Sequence, residues 1–104
     1  MTEPLTAHTF AALGDPTRLA IVGRLSRGPA AIVRLADGAG MSRQAVTKHL
    51  YVLEKAGLVT CTRRGRTAVW ELEPRRLDEA RAALDAISRH WDEALDRLRL
   101  FVET

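Results

Sequence analysis

The chain has 104 residues, of which 46% are hydrophobic, one cysteine, and a formal net charge of +3. The length fits one domain, and the apolar fraction excludes wholesale disorder. With no apolar run of about 18 residues, no secretory signal at the N-terminus and no possible internal disulfide, we expect a protein of the reducing cytoplasm without a membrane partner.

Three helices are predicted in the first 40 residues. The first covers about residues 5–13. Asp15 can cap the second, Pro16 suits its first position, and Gly28-Pro29 ends it. The third covers about residues 30–37. The residues expected to face the core are Leu5, Phe10 and Leu13, then Leu19, Ile21, Val22 and Leu25, then Ile32, Val33 and Leu35.

A fourth helix is predicted over residues 43–55, and its two faces differ sharply. Ser42 is a suitable cap, and Gly57 is well placed as the left-handed residue that ends the helix. One face is apolar and consists of Ala45, Val46, Leu50 and Leu53. The other face carries hydrogen-bond donors with almost no acid, namely Arg43, Gln44, Thr47, Lys48 and Tyr51.

A β-hairpin is predicted over VTCTRRGRTAVWEL (residues 59–72), with Gly65 at its turn. Arg63, Arg64 and Arg66 surround that glycine and repel one another unless an anion lies between them. Cys61 is expected to be a small hydrophobic residue in a buried strand. A redox switch at Cys61 is the alternative.

A long last helix is predicted from Pro74 to about Val102, roughly 40 Å in length. Apolar residues recur every three or four positions for four heptads, which is typical of a packed helical seam: Leu77, Ala80, Leu84, Ile87, Trp91, Ala94, Leu98 and Phe101. This helix is longer than the core of so small a domain requires. We therefore expect a second copy to cover Leu77, Leu84, Ile87, Trp91, Leu98 and Phe101, joined by Leu5 and Phe10; the alternative is packing within one subunit.

These elements predict a mainly α domain of order α-α-α-α-β-β-α, a helix-turn-helix with a hairpin wing. The DNA-binding part would span residues 5–73 and the dimerisation helix residues 74–102. Eight basic and three acidic residues lie between 41 and 76, whereas four basic and seven acidic residues follow from 77 to the end. This concentration of positive charge favours a polyanionic partner. Lys55, Arg75 and Arg76 are expected to be ordinary solvated cations, and Arg18 to have a structural role.

Three stretches together resemble the ArsR/SmtB family of bacterial repressors: FAALGDPTRLAIVGRL (Phe10–Leu25), MSRQAVTKHLYVLEKAGLV (Met41–Val59) and RRGRTAVWEL (Arg63–Leu72). The match covers about residues 5–75, while the last helix matches in type more than in sequence. The resemblance implies a winged helix-turn-helix homodimer that binds operator DNA and is released by a signal.

The metal-binding motifs of that family are missing here. The positions of its Cys-x-Cys pair fall on Ala31 and Val33, and the last helix has one histidine, His90, where a second family site uses aspartate and histidine. Since zinc needs about four nitrogen, oxygen or sulfur ligands, we expect no metal and no other cofactor.

The donor face can read DNA. Ser42 caps the second helix of the motif, whose N-terminal residues reach base edges in the major groove. Arg43 can pair with guanine and Gln44 with adenine. Thr47 and Lys48 suit phosphate or base contacts, and Tyr51 suits the backbone. Arg63, Arg64 and Arg66 suit phosphates or a narrow minor groove.

The sequence thus predicts a homodimeric repressor that binds an inverted-repeat site in double-stranded DNA. It contains no arrangement typical of an enzyme. The alternatives are a winged-helix module that binds protein, or a repressor that responds to redox state or metal. The signal is left open between a small-molecule effector near the dimer helices, oxidation of Cys61, and protein concentration alone.

Overall fold

A computed structural model describes the backbone of residues 5–103 and the side chains of residues 7–103. Its elements are α1 (Leu5–Leu13), α2 (Pro16–Leu25), β1 (Ala30–Ala31), α3 (Ile32–Ala39), α4 (Arg43–Lys55), β2 (Val59–Arg64), β3 (Thr67–Leu72) and α5 (Pro74–Glu103). The mainly α fold with a hairpin wing is confirmed. In this described part, no helix is both long and apolar enough to cross a membrane.

The sheet has one strand more than the sequence predicts. Its order is β1-β3-β2, with both pairs antiparallel. The residues expected to begin the third helix form the two-residue strand β1, and Ala30 pairs with Trp70 of β3. Two residues are too few for an alternating pattern to show in a sequence.

The core is built around the apolar stripe of α4. Val46, Leu50 and Leu53 are fully buried, as is Leu58, the residue before β2. They pack with residues of the other elements that include Ile21, Leu25, Leu35, Val59 and Trp70.

Two residues expected in the core are exposed instead, Leu19 of α2 and Val33 of α3. At about 100° per residue, each lies roughly 110° around its helix from the centre of the buried face. That face is formed by Ile21, Val22 and Leu25 in α2, and by Leu35 and Ala36 in α3.

Cys61 is exposed and not buried, so the prediction of a buried strand cysteine is wrong. The reason is that β2 is an edge strand, of which only the first residue, Val59, is buried. The other five residues of β2 extend into the wing beyond the core.

Helix α5 begins on the core and then leaves it. Leu77 is half-buried against the core cluster and Ala80 is buried. From Leu84 onward the large apolar side chains of α5 are exposed. This helix has 30 residues, so it is about 45 Å long, and the molecule is correspondingly elongated at 67 × 32 × 22 Å.

Candidate nucleic-acid interface

A tight turn between α3 and α4 sets the direction of α4. Gly40 adopts φ +64°, a left-handed conformation that suits glycine, and Met41 N–H donates to the carbonyl of Ala36 at 3.2 Å. Ser42 then accepts a hydrogen bond on its Oγ from Ala45 N–H at 3.2 Å. The predicted cap is thus confirmed, and α3, the turn and α4 form a helix-turn-helix.

The two faces of α4 separate as the sequence predicts. Val46, Leu50 and Leu53 are 0% exposed. On the other side Arg43, Gln44, Lys48 and Tyr51 are all exposed. The structure therefore brings the predicted base-reading and backbone-contacting side chains together on one solvent-facing surface.

Thr47 differs from its neighbours on this face because its hydroxyl is already in use. Its Oγ1 donates to the carbonyl of Arg43, one turn earlier, at 2.7 Å, and the residue is half-buried. A threonine bonded in this way keeps its methyl group and its oxygen lone pairs for other contacts.

His49 lies on the side of α4 that faces α2. Its Nδ1 is 3.9 Å from Oδ2 of Asp15, which caps α2 by accepting a hydrogen bond from Arg18 N–H at 2.9 Å. This backbone N–H is the main reason that the pKa of Asp15 lies below its ordinary value of 3.8; desolvation opposes it, and the charges of Arg18 and His49 assist it.

The wing presents Arg63, Arg64 and Arg66, all exposed, around a turn at Gly65 with φ +64°. In the part of the chain that the structure describes, no carboxylate forms an ion pair with these arginines or with Arg43 or Lys48. Unpaired cations on two neighbouring elements leave a surface suited to a polyanion.

An aromatic contact that the sequence does not predict connects α4 to the wing. The ring of Tyr51 meets that of Trp70 edge to face, with centroids 6.4 Å apart and planes at 62°. Trp70 is buried on β3 and pairs across the sheet with both Ala30 and Cys61. The alternation of β3 predicts that Trp70 points inward, but no local pattern predicts its partner.

The residues expected at a dimer interface have different environments. Leu84, Ile87, Trp91, Leu98 and Phe101 are exposed along α5, Phe10 is half-buried, and Leu77 packs against the core of its own chain. The side chain of Leu5 lies outside the described residues. Leu95 and Val102 are also exposed and fall on the same side of the helix, so the stripe is wider than the heptad pattern indicates.

Comparisons with known proteins agree with this geometry. A family described as a helix-turn-helix domain matches residues 13–62. The HTH-type transcriptional regulator Rv2034 of Mycobacterium tuberculosis is 45% identical over 88 residues, which is 85% of this chain and 79% of that one. The HTH-type transcriptional repressor SmtB of the same organism is 33% identical over 84 residues, 81% of this chain and 61% of that one.

Solved structures give the same picture. An ArsR-like transcriptional regulator from Rhodococcus sp. RHA1 superimposes with a TM-score of 0.80 and 33% identity, covering 93% of this chain and 92% of that one. Another ArsR family transcriptional regulator gives a TM-score of 0.75 at 33% identity and covers 88% and 97% of the two chains.

Proposed function

Because the chain belongs to the ArsR/SmtB family of DNA-binding winged helix-turn-helix transcriptional regulators, we propose that it is a homodimeric repressor that binds an inverted-repeat operator without a metal. Its relatives are regulators and not enzymes. The observation that carries the proposal is the surface of α4. Three fully buried apolar side chains stand opposite the exposed cations Arg43 and Lys48 and the amide of Gln44, next to a wing of three arginines.

Base reading is assigned to the N-terminal turn of α4. In helix-turn-helix proteins this turn reaches the base edges in the major groove. The guanidinium of Arg43 matches the O6 and N7 acceptors of guanine, and the amide of Gln44 matches adenine. Lys48 and Tyr51 follow one and two turns later, where contacts to phosphate are expected. Thr47 contributes its methyl group and its acceptor oxygen.

The wing is assigned to the DNA backbone. Arg63, Arg64 and Arg66 are exposed and have no ion-pair partner among the residues that the structure describes, and phosphates or a narrow minor groove relieve their mutual repulsion. Such contacts add affinity without much sequence information. Tyr51, packed against Trp70, connects this backbone-binding element to the base-reading helix.

A second copy of the chain is proposed as the partner of α5. The exposed stripe includes Leu84, Ile87, Trp91 and Leu98, and each large apolar side chain is worth about 1.5–3 kcal/mol when buried. A contiguous apolar surface of this kind marks an interaction site. A two-fold pair would also double the number of bases read, which one short helix needs for specificity in a genome.

Independence from metal is proposed because the ligands are dispersed. Among residues 7–103, no three side chains of His, Cys, Asp or Glu lie together as a possible metal site. Ala31 and Val33 occupy the positions where the resembled family motif has its cysteines. Repression is proposed because SmtB, a relative of this chain, is described as a repressor, and an operator-bound dimer blocks a promoter by occupying it.

Sequencing of genomic fragments bound by the purified protein tests the proposal. The expected result is an inverted repeat whose half-sites lie about one helical turn apart, or a multiple of it. Addition of EDTA or of zinc should leave binding unchanged, and the operator placed over a promoter should reduce transcription in vitro. Enrichment of no sequence, a single unrepeated half-site, or a requirement for metal would contradict the respective part of the proposal.

The salt dependence of binding separates DNA recognition from a protein-binding module. With four phosphate-contacting cations proposed in each subunit of a dimer, Lys48 and the three arginines of the wing, the slope of log affinity against log salt should be about −7. A slope near zero on random duplex DNA would favour a module that binds protein.

A further inference from the structure

Two neighbouring contacts join the end of α4 to the start of α5. Leu58 follows α4, the recognition helix of the proposed DNA-binding surface, and is fully buried. Its N–H donates to the carbonyl of Leu53 at 2.9 Å. Its own carbonyl accepts a hydrogen bond from Glu73 N–H at 2.8 Å. Glu73 directly precedes α5, so Leu58 is hydrogen-bonded both to the end of α4 and to the residue before α5. The two strands of the wing lie between Leu58 and Glu73 in the chain.

The second contact is the side chain of Arg76 against Gly57. Gly57 has φ +79°, and a Cβ atom placed on it would lie only 2.8 Å from Nε of Arg76 and 3.0 Å from Nη2. The left-handed glycines Gly40 and Gly65 differ, since a Cβ atom on either would meet nothing within 4 Å. The close approach of a side chain therefore distinguishes Gly57 from these turn glycines.

Arg76 is held in this position from its other side. Its Nη1 lies 3.3 Å from Oε2 of Glu79, and only 23% of its side chain is exposed. The expectation of an ordinary solvated cation is wrong for this residue. Its charge also lies next to the C-terminal end of α4, where the helix dipole favours a cation. Arg75, its neighbour in sequence, is exposed and has no ion pair in the described part of the chain.

We propose that Arg76 is a positioning residue that fixes the recognition helix relative to the dimer helix. This inference rests on the proposed function, in which α5 holds two subunits together and α4 reads DNA. The distance between the two recognition helices then depends on the angle between α4 and α5 within each subunit. The half-sites of an operator have a defined spacing. If the contact between α4 and α5 were less rigid, the dimer would bind half-sites at many spacings and prefer none of them.

Distances between spin labels on the two subunits of the dimer test, without DNA, how rigidly α4 is held relative to α5. In a Cys61→Ser background, Glu54→Cys places one label on α4 of each subunit, at an exposed position outside the proposed DNA contacts. The parent should give one narrow distance distribution by pulsed electron paramagnetic resonance. Arg76→Ala should broaden it, Arg76→Lys should narrow it again by restoring the charge, and Arg75→Ala should match the parent.

Operators with altered spacing test the consequence for binding. On the best operator, Arg76→Ala should bind about tenfold more weakly than the parent. On operators whose half-sites are moved by one base pair, the difference between the two proteins should shrink. Arg75→Ala should keep the spacing preference of the parent.

The outcomes separate the two proposals. A parent protein that gives no distance between subunits and selects no operator would overturn the proposed function, and this inference with it. A dimeric, operator-binding parent whose distances and spacing preference are shared by Arg76→Ala would overturn the positioning role alone.

Discussion

Arg43 and Arg64 carry the same charge, but their places in the structure predict different contributions to binding. Arg43 lies in the first turn of α4 and Arg64 at the end of β2. Arg43→Ala should cost about 1–3 kcal/mol in each half-site of the preferred operator and reduce the preference over scrambled DNA, because a bidentate base contact is lost in each. Arg64→Ala should weaken binding to all sequences by a similar factor and reduce the salt slope by about 2, since one phosphate contact is lost in each subunit.

Fluorescence anisotropy with operator and scrambled duplexes, repeated across a range of salt concentrations, measures both quantities. Each alanine variant serves as the control for the other, since both remove one exposed arginine. An equal loss of sequence preference in the two variants would contradict the assignment of base reading to α4 and of backbone binding to the wing.

Individual side chains were predictable from the sequence where a periodic pattern determines their direction. Val46, Leu50 and Leu53 share one side of a 13-residue helix, and all three are buried as predicted. For Leu19 and Cys61 the sequence offers only residue type and a shorter pattern, and both residues are exposed. Whether such a residue is covered depends on which elements pack beside it, which is a property of the tertiary structure.

At the scale of elements, the boundaries followed from local chemistry. The caps Asp15 and Ser42 and the glycine Gly57 lie at the helix ends where the sequence predicts them. Strand β1 could not be predicted because its two alanines gain strand geometry only by pairing with β3. The contacts between Tyr51 and Trp70 and between Arg76 and Gly57 likewise join residues 19 apart along the chain, beyond the reach of any helical or strand period.

The cap of α2 predicts a measurable dependence of stability on pH. The pKa of Asp15 is lower in the folded protein than its ordinary value of 3.8, chiefly because Arg18 N–H donates to the carboxylate. A lowered folded-state pKa means that this stabilisation is fully present above pH 3.8 and is lost as the pH falls through the folded value. Asp15→Asn still caps the helix but does not titrate.

Urea unfolding of the two proteins between about pH 5.5 and about pH 3 measures the effect. The parent should be more stable than Asp15→Asn at the higher pH, and this difference should shrink at the lower pH. Other carboxylates titrate in both proteins and largely cancel in the comparison. A difference that is constant over the whole range would show that the cap does not depend on the charge of Asp15.

At the scale of the whole molecule, helix length was the most informative feature of the sequence. The heptad pattern predicts that α5 is longer than the core needs, and the exposed side chains from Leu84 onward confirm that one subunit does not cover them. The sequence could not predict where α5 leaves the core, since Leu77 and Leu84 occupy equivalent positions of the same pattern. That point depends on the position of α1, which packs against α5.

Two leucines in the last turns of α5 allow a matched test of the dimer. Leu98 and Leu100 are exposed to similar extents, 58% and 65%, but they lie about 200° apart around the helix. Only Leu98 belongs to the stripe with Trp91 and Leu84. Leu98→Glu removes an apolar contact from both subunits, so dimerisation should weaken by about 100-fold or more at roughly 1.5 kcal/mol for each leucine. Leu100→Glu introduces the same charge two residues away and should leave the dimer intact.

Sedimentation equilibrium over a range of concentrations gives both dissociation constants. Operator affinity should fall with dimerisation in Leu98→Glu, because half-sites bound by separate monomers lose the gain in effective concentration that a dimer provides. If both variants dissociate equally, or neither does, the subunits do not meet through this stripe, and the two recognition helices must be paired by another surface.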